Sequence, residues 1–197
     1  MKKSTKREVR EVTDLVLGTR YKITELLQNK KKVHIIWDFD GVLSDSRSDD
    51  VFALTKFNLK SYFIHEERLL LESPGIGPWL LPIAHNAGKN PVFPLDRFTQ
   101  DIVTARSSAL AIRVHIFCLS WRLPIRWTLF LGHQPKKEAY RIILKSFKDD
   151  PNCHIFCVDD SSKHIKDFED VSIEENINDR VSPILSPVIR KYTEKEL

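Results

Sequence analysis

The sequence predicts an α/β fold with a Rossmann-like, three-layer arrangement around a central parallel sheet. A small helical insertion follows the first strand. Short apolar segments at 33–38, 101–104, 127–131 and 154–158 each stop at polar residues, as buried strands do. Segments with helical spacing separate the last three. This alternation implies parallel strands connected by right-handed crossovers. Ligands in such sheets bind beyond the carboxyl ends of the strands.

The remaining elements follow in chain order. Residues 8–29 carry apolar side chains at helical spacing and predict one or two amphipathic helices, with Gly18 as the break. We expect 1–32 to be a helical extension packed on the core, 33–44 and 96–197 to form the core, and 45–95 to form the insertion. Pro135 is expected to open a helix, because proline is favoured at the first helical position. From about Ser182 we expect an irregular segment or a packed-back helix.

Bulk properties exclude several classes of protein. The 197 residues fit one domain, with no apolar run of the roughly 18 residues that span a membrane. The formal charge of +4 suits an anionic small substrate, and no stripe of basic and aromatic residues suggests nucleic acid. The basic N-terminus has no apolar stretch behind it, so no secretory signal is expected. A homo-oligomer is compatible with the sequence.

The cysteine content indicates a reducing, cytoplasmic location. Three cysteines form an odd set without an export signal, which favours free thiols. Cys153, His154 and Cys157 are close in sequence, but their spacing is not that of a zinc knuckle. Cysteines that alternate along a buried strand are the better interpretation.

The first predicted strand ends at Asp38 and Asp40. Side chains of a strand alternate between two faces, so both carboxylates would point the same way. Two carboxylates aimed at one point raise each other's pKa unless a cation lies between them. Mg²⁺ binds to one or two carboxylates together with a phosphate, and is the natural occupant. Two solvated aspartates at a strand end are the alternative.

The other strand ends supply three more kinds of group. Thr104 ends the second strand, Lys136 or Lys137 begins the helix after the third, and Asp159 and Asp160 end the fourth. Each has a plainer interpretation: a strand-end threonine, a surface lysine, and a helix cap. Capping and metal binding are compatible for the acidic pair.

The segment Asp38-Phe39-Asp40-Gly41-Val42-Leu43 resembles D-x-D-x-[TV]-L, the first motif of the haloacid dehalogenase (HAD) superfamily of phosphohydrolases. The order Asp-x-Asp, threonine, lysine and acidic pair is similar to its full motif set. The resemblance implies a HAD-like core with a cap, and Mg²⁺ held by Asp38, the Asp40 carbonyl and Asp159 or Asp160. It implies that Asp38 forms an aspartyl phosphate, that Asp40 is the acid and base, and that Thr104 donates to the phosphate. The lysine would offset negative charge.

Finer similarity is to the cytosolic 5′-nucleotidase family. Residues 103–107 read V-T-A-R-S, 129–136 read L-F-L-G-H-Q-P-K, and H-I-F at 154–156 precedes the acidic pair. The resemblance points to Lys136 as the motif lysine and implies hydrolysis of nucleoside 5′-monophosphates, with Thr104, Ala105, Arg106 and Lys136 binding substrate. The loop after Asp38 is one residue shorter than in the family, and Val158 is an extra residue. Aromatic residues of the insertion are candidates to stack on a base: Phe52, Phe57, Phe63 and His65.

Three other functions remain open. A HAD phosphatase for another small phosphoester, such as a sugar phosphate, would carry the same motifs. A nucleotide-binding regulatory protein with weak turnover would usually lose the nucleophile or metal aspartates, which are present here. A phosphatase for protein or nucleic-acid ends would need an extended basic groove, and the sequence shows no clear one.

Overall fold

The computed structural model describes residues 6–44, 80, 96–121, 123–132 and 134–187. Five strands form one sheet in the order β3-β2-β1-β4-β5, with every neighbouring pair parallel. The helices and strands are α1 (Lys6–Gln28), β1 (Lys32–Trp37), β2 (Phe98–Thr104), α2 (Ala111–Ser120), β3 (Trp127–Phe130), α3 (Lys136–Ser146), β4 (Cys153–Asp159), α4 (Ser162–Glu174) and β5 (Val181–Leu185). The α/β class and its parallel sheet are confirmed.

Helices cover both faces of the sheet and define its three layers. On one face, α1 contributes Ile23 and Leu27, and α2 contributes Val114 and Phe117, to an apolar cluster. On the other face, α3 and α4 supply a second cluster that includes Ile143. Successive β1 residues alternate between the two clusters, as the pleat requires. Each large side chain that is fully buried in this way stabilises the fold by about 1.5–3 kcal/mol.

The chain reverses its direction of winding at β1. Strands β2 and β3 lie on one side of β1, whereas β4 and β5 lie on the other. The crossovers leave a crevice between the carboxyl ends of the two strands that flank such a switch point, and ligands bind there. Here those strands are β1, which Asp38 directly follows, and β4, which ends at Asp159. The topology therefore brings together the two acidic motifs that the sequence singles out.

Two expectations were wrong. Gly18 does not break the first helix, because α1 is continuous from Lys6 to Gln28. A helix-interior glycine costs only about 1 kcal/mol relative to alanine, which the packing of Ile23 and Leu27 offsets. The segment from Val181 is neither irregular nor helical, because Val181–Leu185 forms β5 beside β4. Pro183 is tolerated there because β5 is an edge strand.

Smaller differences concern boundaries and the insertion. Pro135 is the residue before α3 rather than its first helical residue. The interpretation of Cys153 and Cys157 as core residues agrees with the structure, since both are buried in the α3–α4 cluster as free thiols. The predicted insertion at 45–95, with its four aromatic candidates, lies outside the described residues apart from Leu80. No described helix has the length and hydropathy of a membrane span.

Candidate active site

Asp38 lies directly after β1, at the floor of the crevice. Its backbone N–H donates to the Val158 carbonyl at 2.8 Å, which continues the pairing of β1 with β4. Its Oδ1 accepts the Phe39 N–H at 2.7 Å and lies 2.8 Å from Lys136 Nζ. The side chain is almost fully buried. Both contacts involve the same oxygen, so Oδ2 is the oxygen turned to other partners.

Lys136 connects the ends of β1 and β4. It is the first residue of α3, and its ammonium lies 2.8 Å from Asp38 Oδ1 and 2.8 Å from Asp159 Oδ2. Its side chain is 2% exposed. Burial alone would lower the pKa of Lys136, but the two carboxylates outweigh burial and raise it above its usual value. The neighbouring Lys137 instead forms a surface pair with Glu174 at 2.9 Å.

Asp159 is held by four donors from three segments. Lys136 Nζ and the Tyr140 hydroxyl donate to Oδ2 at 2.8 and 3.2 Å. The Ser161 N–H and His164 Nδ1 lie 2.9 and 3.2 Å from Oδ1. Burial would raise the pKa of Asp159, but the contacts with His164 and Lys136 hold it below the ordinary value. The carboxylate is therefore ionised, and the imidazole must donate from Nδ1.

Asp160 approaches the loop after β1 where only glycine fits. Gly41 has φ +72°, a left-handed conformation that glycine adopts without strain. A Cβ on Gly41 would lie 2.2 Å from Asp160 Oδ2, far inside contact distance. Glycine thus lets the second carboxylate of the acidic pair reach the backbone beside Asp40.

The carboxyl end of β2 supplies Thr104 and Arg106. The fully buried Thr104 accepts the Arg106 N–H at its hydroxyl at 3.1 Å, which turns the chain sharply after the strand. The Arg106 guanidinium forms a forked pair with Asp40, with Nε 2.9 Å from Oδ2 and Nη2 bonded to Oδ1. It also lies 4.8 Å from the centre of the Phe39 ring. Arg106 therefore faces the acidic loop after β1.

Asp38 is the most strongly perturbed carboxylate of the site. Burial raises its pKa to about 7, with Lys136 opposing the shift and the charges of Asp159 and Asp40 adding to it. A group held so far from its ordinary pKa, at a switch-point crevice, is typical of an active site.

A family model described as 5′-nucleotidase matches residues 7–181. The chain belongs to this family. Membership makes the protein a phosphoric monoester hydrolase of the HAD superfamily.

Two solved structures of the HAD domain of the effector protein Lem4 from Legionella pneumophila are similar, both at 12% identity. The first covers 81% of this chain and 90% of its own, with a TM-score of 0.50; the second, an inactive mutant, covers 82% and 88%, with a TM-score of 0.49. At this identity the first shows the fold alone. No curated protein matches the sequence.

The structure brings most of the predicted site residues of this 5′-nucleotidase together. Asp38, Lys136 and Asp159 are in direct contact, Arg106 bonds Asp40, and Thr104 lies at the adjacent strand end. Ala105 is exposed just after β2. The geometry distinguishes the two lysines, because only Lys136 reaches the carboxylates. Their roles in catalysis stay predictions.

Sequence reasoning missed Tyr140 and His164, which both hold Asp159. A signal for each is present in the spacing. Tyr140 is four residues after Lys136 on α3, so it lies one turn further along the same face. His164 lies in the first turn of α4, five residues after Asp159, close enough for its side chain to turn back on the strand end.

The residues present fit a divalent cation. Ligand atoms of Asp38, Asp159 and His164 lie within 4.8 Å of one another. The neighbouring carboxylates of Asp40 and Asp160 add the oxygen donors that Mg²⁺ prefers. The Asp160 carboxylate approaches Gly41, so an oxygen of the acidic pair lies beside that loop.

Proposed function

We propose that the protein hydrolyses nucleoside 5′-monophosphates to nucleoside and phosphate through an aspartyl-phosphate intermediate. The observation that carries the proposal is the Lys136 ammonium, which joins Asp38 to Asp159 at the switch point of the sheet. Phosphoryl transfer depends mainly on positioning and on stabilising charge. A buried carboxylate beside a fixed ammonium meets both needs. The match to a family described as 5′-nucleotidase supports nucleoside 5′-monophosphates as the substrate class.

Asp38 is the proposed nucleophile, acting through Oδ2, because Oδ1 already accepts from Phe39 N–H and Lys136. A bond forms between Oδ2 and phosphorus as the ester bond to the leaving oxygen breaks. Asp40 gives that oxygen a proton, then takes one from the water that attacks the phospho-aspartate and releases Asp38. Lys136 neutralises negative charge on the phosphoryl group and on Asp38.

Arg106 and Thr104 are the proposed phosphate-binding residues. In this structure the Arg106 guanidinium pairs with Asp40. A phosphate competes well for an arginine fork, because the planar guanidinium can bond two oxygens of a phosphate as it bonds the two oxygens of a carboxylate. We propose that substrate binding draws the guanidinium from Asp40 to the phosphate, which leaves Asp40 able to carry a proton. The Thr104 hydroxyl donates to the same phosphate. Replacing Arg106 with lysine should raise KM more than it lowers kcat.

The charge of the site supports Mg²⁺. By formal charge, the described residues of the site include four aspartates, at positions 38, 40, 159 and 160, and two cations, Lys136 and Arg106. The two excess negative charges equal the charge of one divalent cation, and a phosphate dianion would otherwise be repelled. When bound, Mg²⁺ would polarise the phosphoryl oxygens and hold them in line with Asp38. Asp38, the Asp40 carbonyl and one acidic residue after β4 would hold it.

We propose that Asp160, rather than Asp159, is that acidic ligand. An ionised carboxylate has about four lone-pair sites, and Asp159 already meets four donors. Its role would be to fix Lys136. Asp160→Asn should therefore weaken Mg²⁺ binding measured by calorimetry about 10-fold or more. Asp159→Asn should mainly lower thermal stability. The reverse pattern would exchange the two roles.

The deciding experiment is phosphate release from a panel of nucleoside 5′-monophosphates, nucleoside 3′-monophosphates and sugar phosphates, with Mg²⁺ and with EDTA. Metal-dependent release mainly from 5′-monophosphates is expected, with the Asp38→Asn variant folded and inactive. Release mainly from sugar phosphates would move the substrate to that class. Binding without release would favour a regulatory protein. The free thiols fit the proposed cytoplasmic location.

A further inference from the structure

The outer face of α1 carries large apolar side chains. Leu17 is 56% exposed and Tyr21 is 72% exposed, although the opposite face of the helix packs Ile23 and Leu27 into the core. A surface helix normally turns polar residues to solvent. Leu17, Gly18 and Tyr21 are neighbours on the helix surface, because residues three and four apart adjoin. This face is called the Gly18 face below.

Nothing in the described part of a single chain requires glycine at position 18. A Cβ at this position would meet nothing within 4 Å, and φ is not positive. Glycine in the interior of a helix costs about 1 kcal/mol relative to alanine. Its benefit in a helix is that another backbone or side chain can approach closely. The position is thus suited to contact with a second molecule.

A groove of about 440 Å³ lies beside Gly18, between α1 and the sheet edge at β5. Its floor is mainly apolar, with Phe156 and Ile184 beneath it. The lining residues on the helix are Asp14, Leu15, Gly18, Thr19 and Lys22. The recess therefore borders the Gly18 face on its sheet side, whereas Leu17 and Tyr21 project from the other side of the helix.

Charges are arranged symmetrically about Gly18. Asp14 precedes it by four residues and Lys22 follows it by four, so both lie on the Gly18 face. Lys22 donates to Ser182 and has no carboxylate partner among the described residues. An ammonium has two further donors. Among the residues that the structure describes, Asp14 has only a 3.7 Å contact with Arg10, an exposed pair of little strength. Both charges are available to another chain.

We infer that the Gly18 face is the contact between two copies of this chain, with their α1 helices crossing antiparallel at Gly18. A two-fold axis there sets Asp14 of each copy against Lys22 of the other. The same axis keeps Leu17 and Tyr21 of each copy on one side of the contact, beside Leu17 and Tyr21 of the other copy. A two-fold interface must be self-complementary, so the point of close approach, the apolar side chains and both charges must lie on one patch. The Gly18 face has all of these.

Sedimentation of the full-length protein over a range of concentrations tests the inference. The wild-type chain should associate to twice its mass of 23.0 kDa. Gly18→Arg fills the crossing point without touching the fold of one chain, and should raise the dimer Kd about 100-fold or more. Leu119→Arg is the matched control. It also removes an exposed apolar side chain, but on α2, and should leave the dimer unchanged.

Charge exchange tests the antiparallel geometry. Asp14→Lys sets two ammonium groups together at each end of the contact and should raise Kd about 10-fold; Lys22→Glu should do the same with carboxylates. The double variant should return Kd to within about 3-fold of wild type, because the pairs are restored in reverse. A wild-type monomer at every concentration would overturn the inference. So would an unaffected Gly18→Arg dimer, equal weakening by Leu119→Arg, or a double variant no better than the singles.

Discussion

Replacing Lys136 with methionine removes the ammonium between Asp38 and Asp159 while keeping most of the side-chain volume. Both carboxylates then lose their buried positive partner. Breaking a buried ion pair by removing one partner costs about 3–5 kcal/mol, because an uncompensated charge stays behind. At about 2–4 °C per kcal/mol for a chain of this size, the melting temperature should fall by about 6–20 °C. Phosphate release should fall about 100-fold or more.

Lys137 is the matched control, because it is the next residue on the same helix. Its ammonium pairs with Glu174 at the surface, where such pairs contribute about 0–1 kcal/mol. Lys137→Met should therefore change the melting temperature by less than about 4 °C and leave phosphate release close to wild type. Thermal unfolding in EDTA and phosphate release with Mg²⁺ are the two measurements for both variants.

The deficit of Lys136→Met should also depend on pH. In the metal-free wild type, burial raises the pKa of Asp38 to about 7 even with Lys136 opposing it. Loss of the ammonium raises that pKa further. A carboxyl whose folded pKa lies above its unfolded pKa destabilises the fold when ionised and ceases to do so when protonated. The stability deficit should thus shrink as pH falls from about 8 to about 5. A constant deficit, or a larger effect from Lys137→Met, would refute the proposed network.

Three further outcomes test other parts of the molecule. Gly41→Ala should lower both activity and stability, because the added Cβ would collide with Asp160. Gly132→Ala is the control: Gly132 also has a positive φ (+61°), but its added Cβ would meet nothing within 4 Å. That variant should lose only about 1–2 kcal/mol of stability through backbone strain and should keep more activity. Burial, with Lys22 adding to it, lowers the pKa of His154 to about 4, so stability should fall by up to about 3 kcal/mol as pH drops from 6.5 towards 4. His154→Gln should flatten that loss in pH-dependent melts. EDTA should stop phosphate release and Mg²⁺ should restore it, whereas metal-independent release would contradict the proposed site.

The sequence predicts the strands that end at site residues better than the strands that do not. β1 and β4 are apolar runs that stop at aspartates, so the hydrophobic pattern and the polar end of each segment both indicate a buried strand. β5 was missed because Val181–Leu185 contains Pro183 and has only two apolar residues that pack against the core, which is a weak strand pattern. The segment forms a strand because it pairs with β4. Edge strands obtain much of their order from a neighbour, which a local pattern does not contain.

The site was predicted to the level of motif residues but not of their partners. Motif spacing fixes which strand end a carboxylate occupies, and that is why Asp38 and Asp159 meet. It does not fix which donor on a helix turns towards them. Tyr140 and His164 reach Asp159 only because α3 and α4 pack on the same face of the sheet. The Arg106–Asp40 pair likewise depends on the turn after β2.

Two buried ionic clusters occur on this sheet, and the balance of charge distinguishes them. Asp101, on β2, bonds Arg126 at 2.6 Å and lies 3.3 Å from His34. Burial alone would raise the pKa of Asp101, but the contacts with His34 and Arg126 hold it below the ordinary value. Its single negative charge has a full positive partner, so the cluster needs nothing further. At the carboxyl ends of β1 and β4, Lys136 is shared between two carboxylates, and the pKa of Asp38 rises to about 7. A fold gains no stability from that excess. The excess is therefore best explained by what binds there: a cation that completes the balance and a phosphate that the completed site can accept.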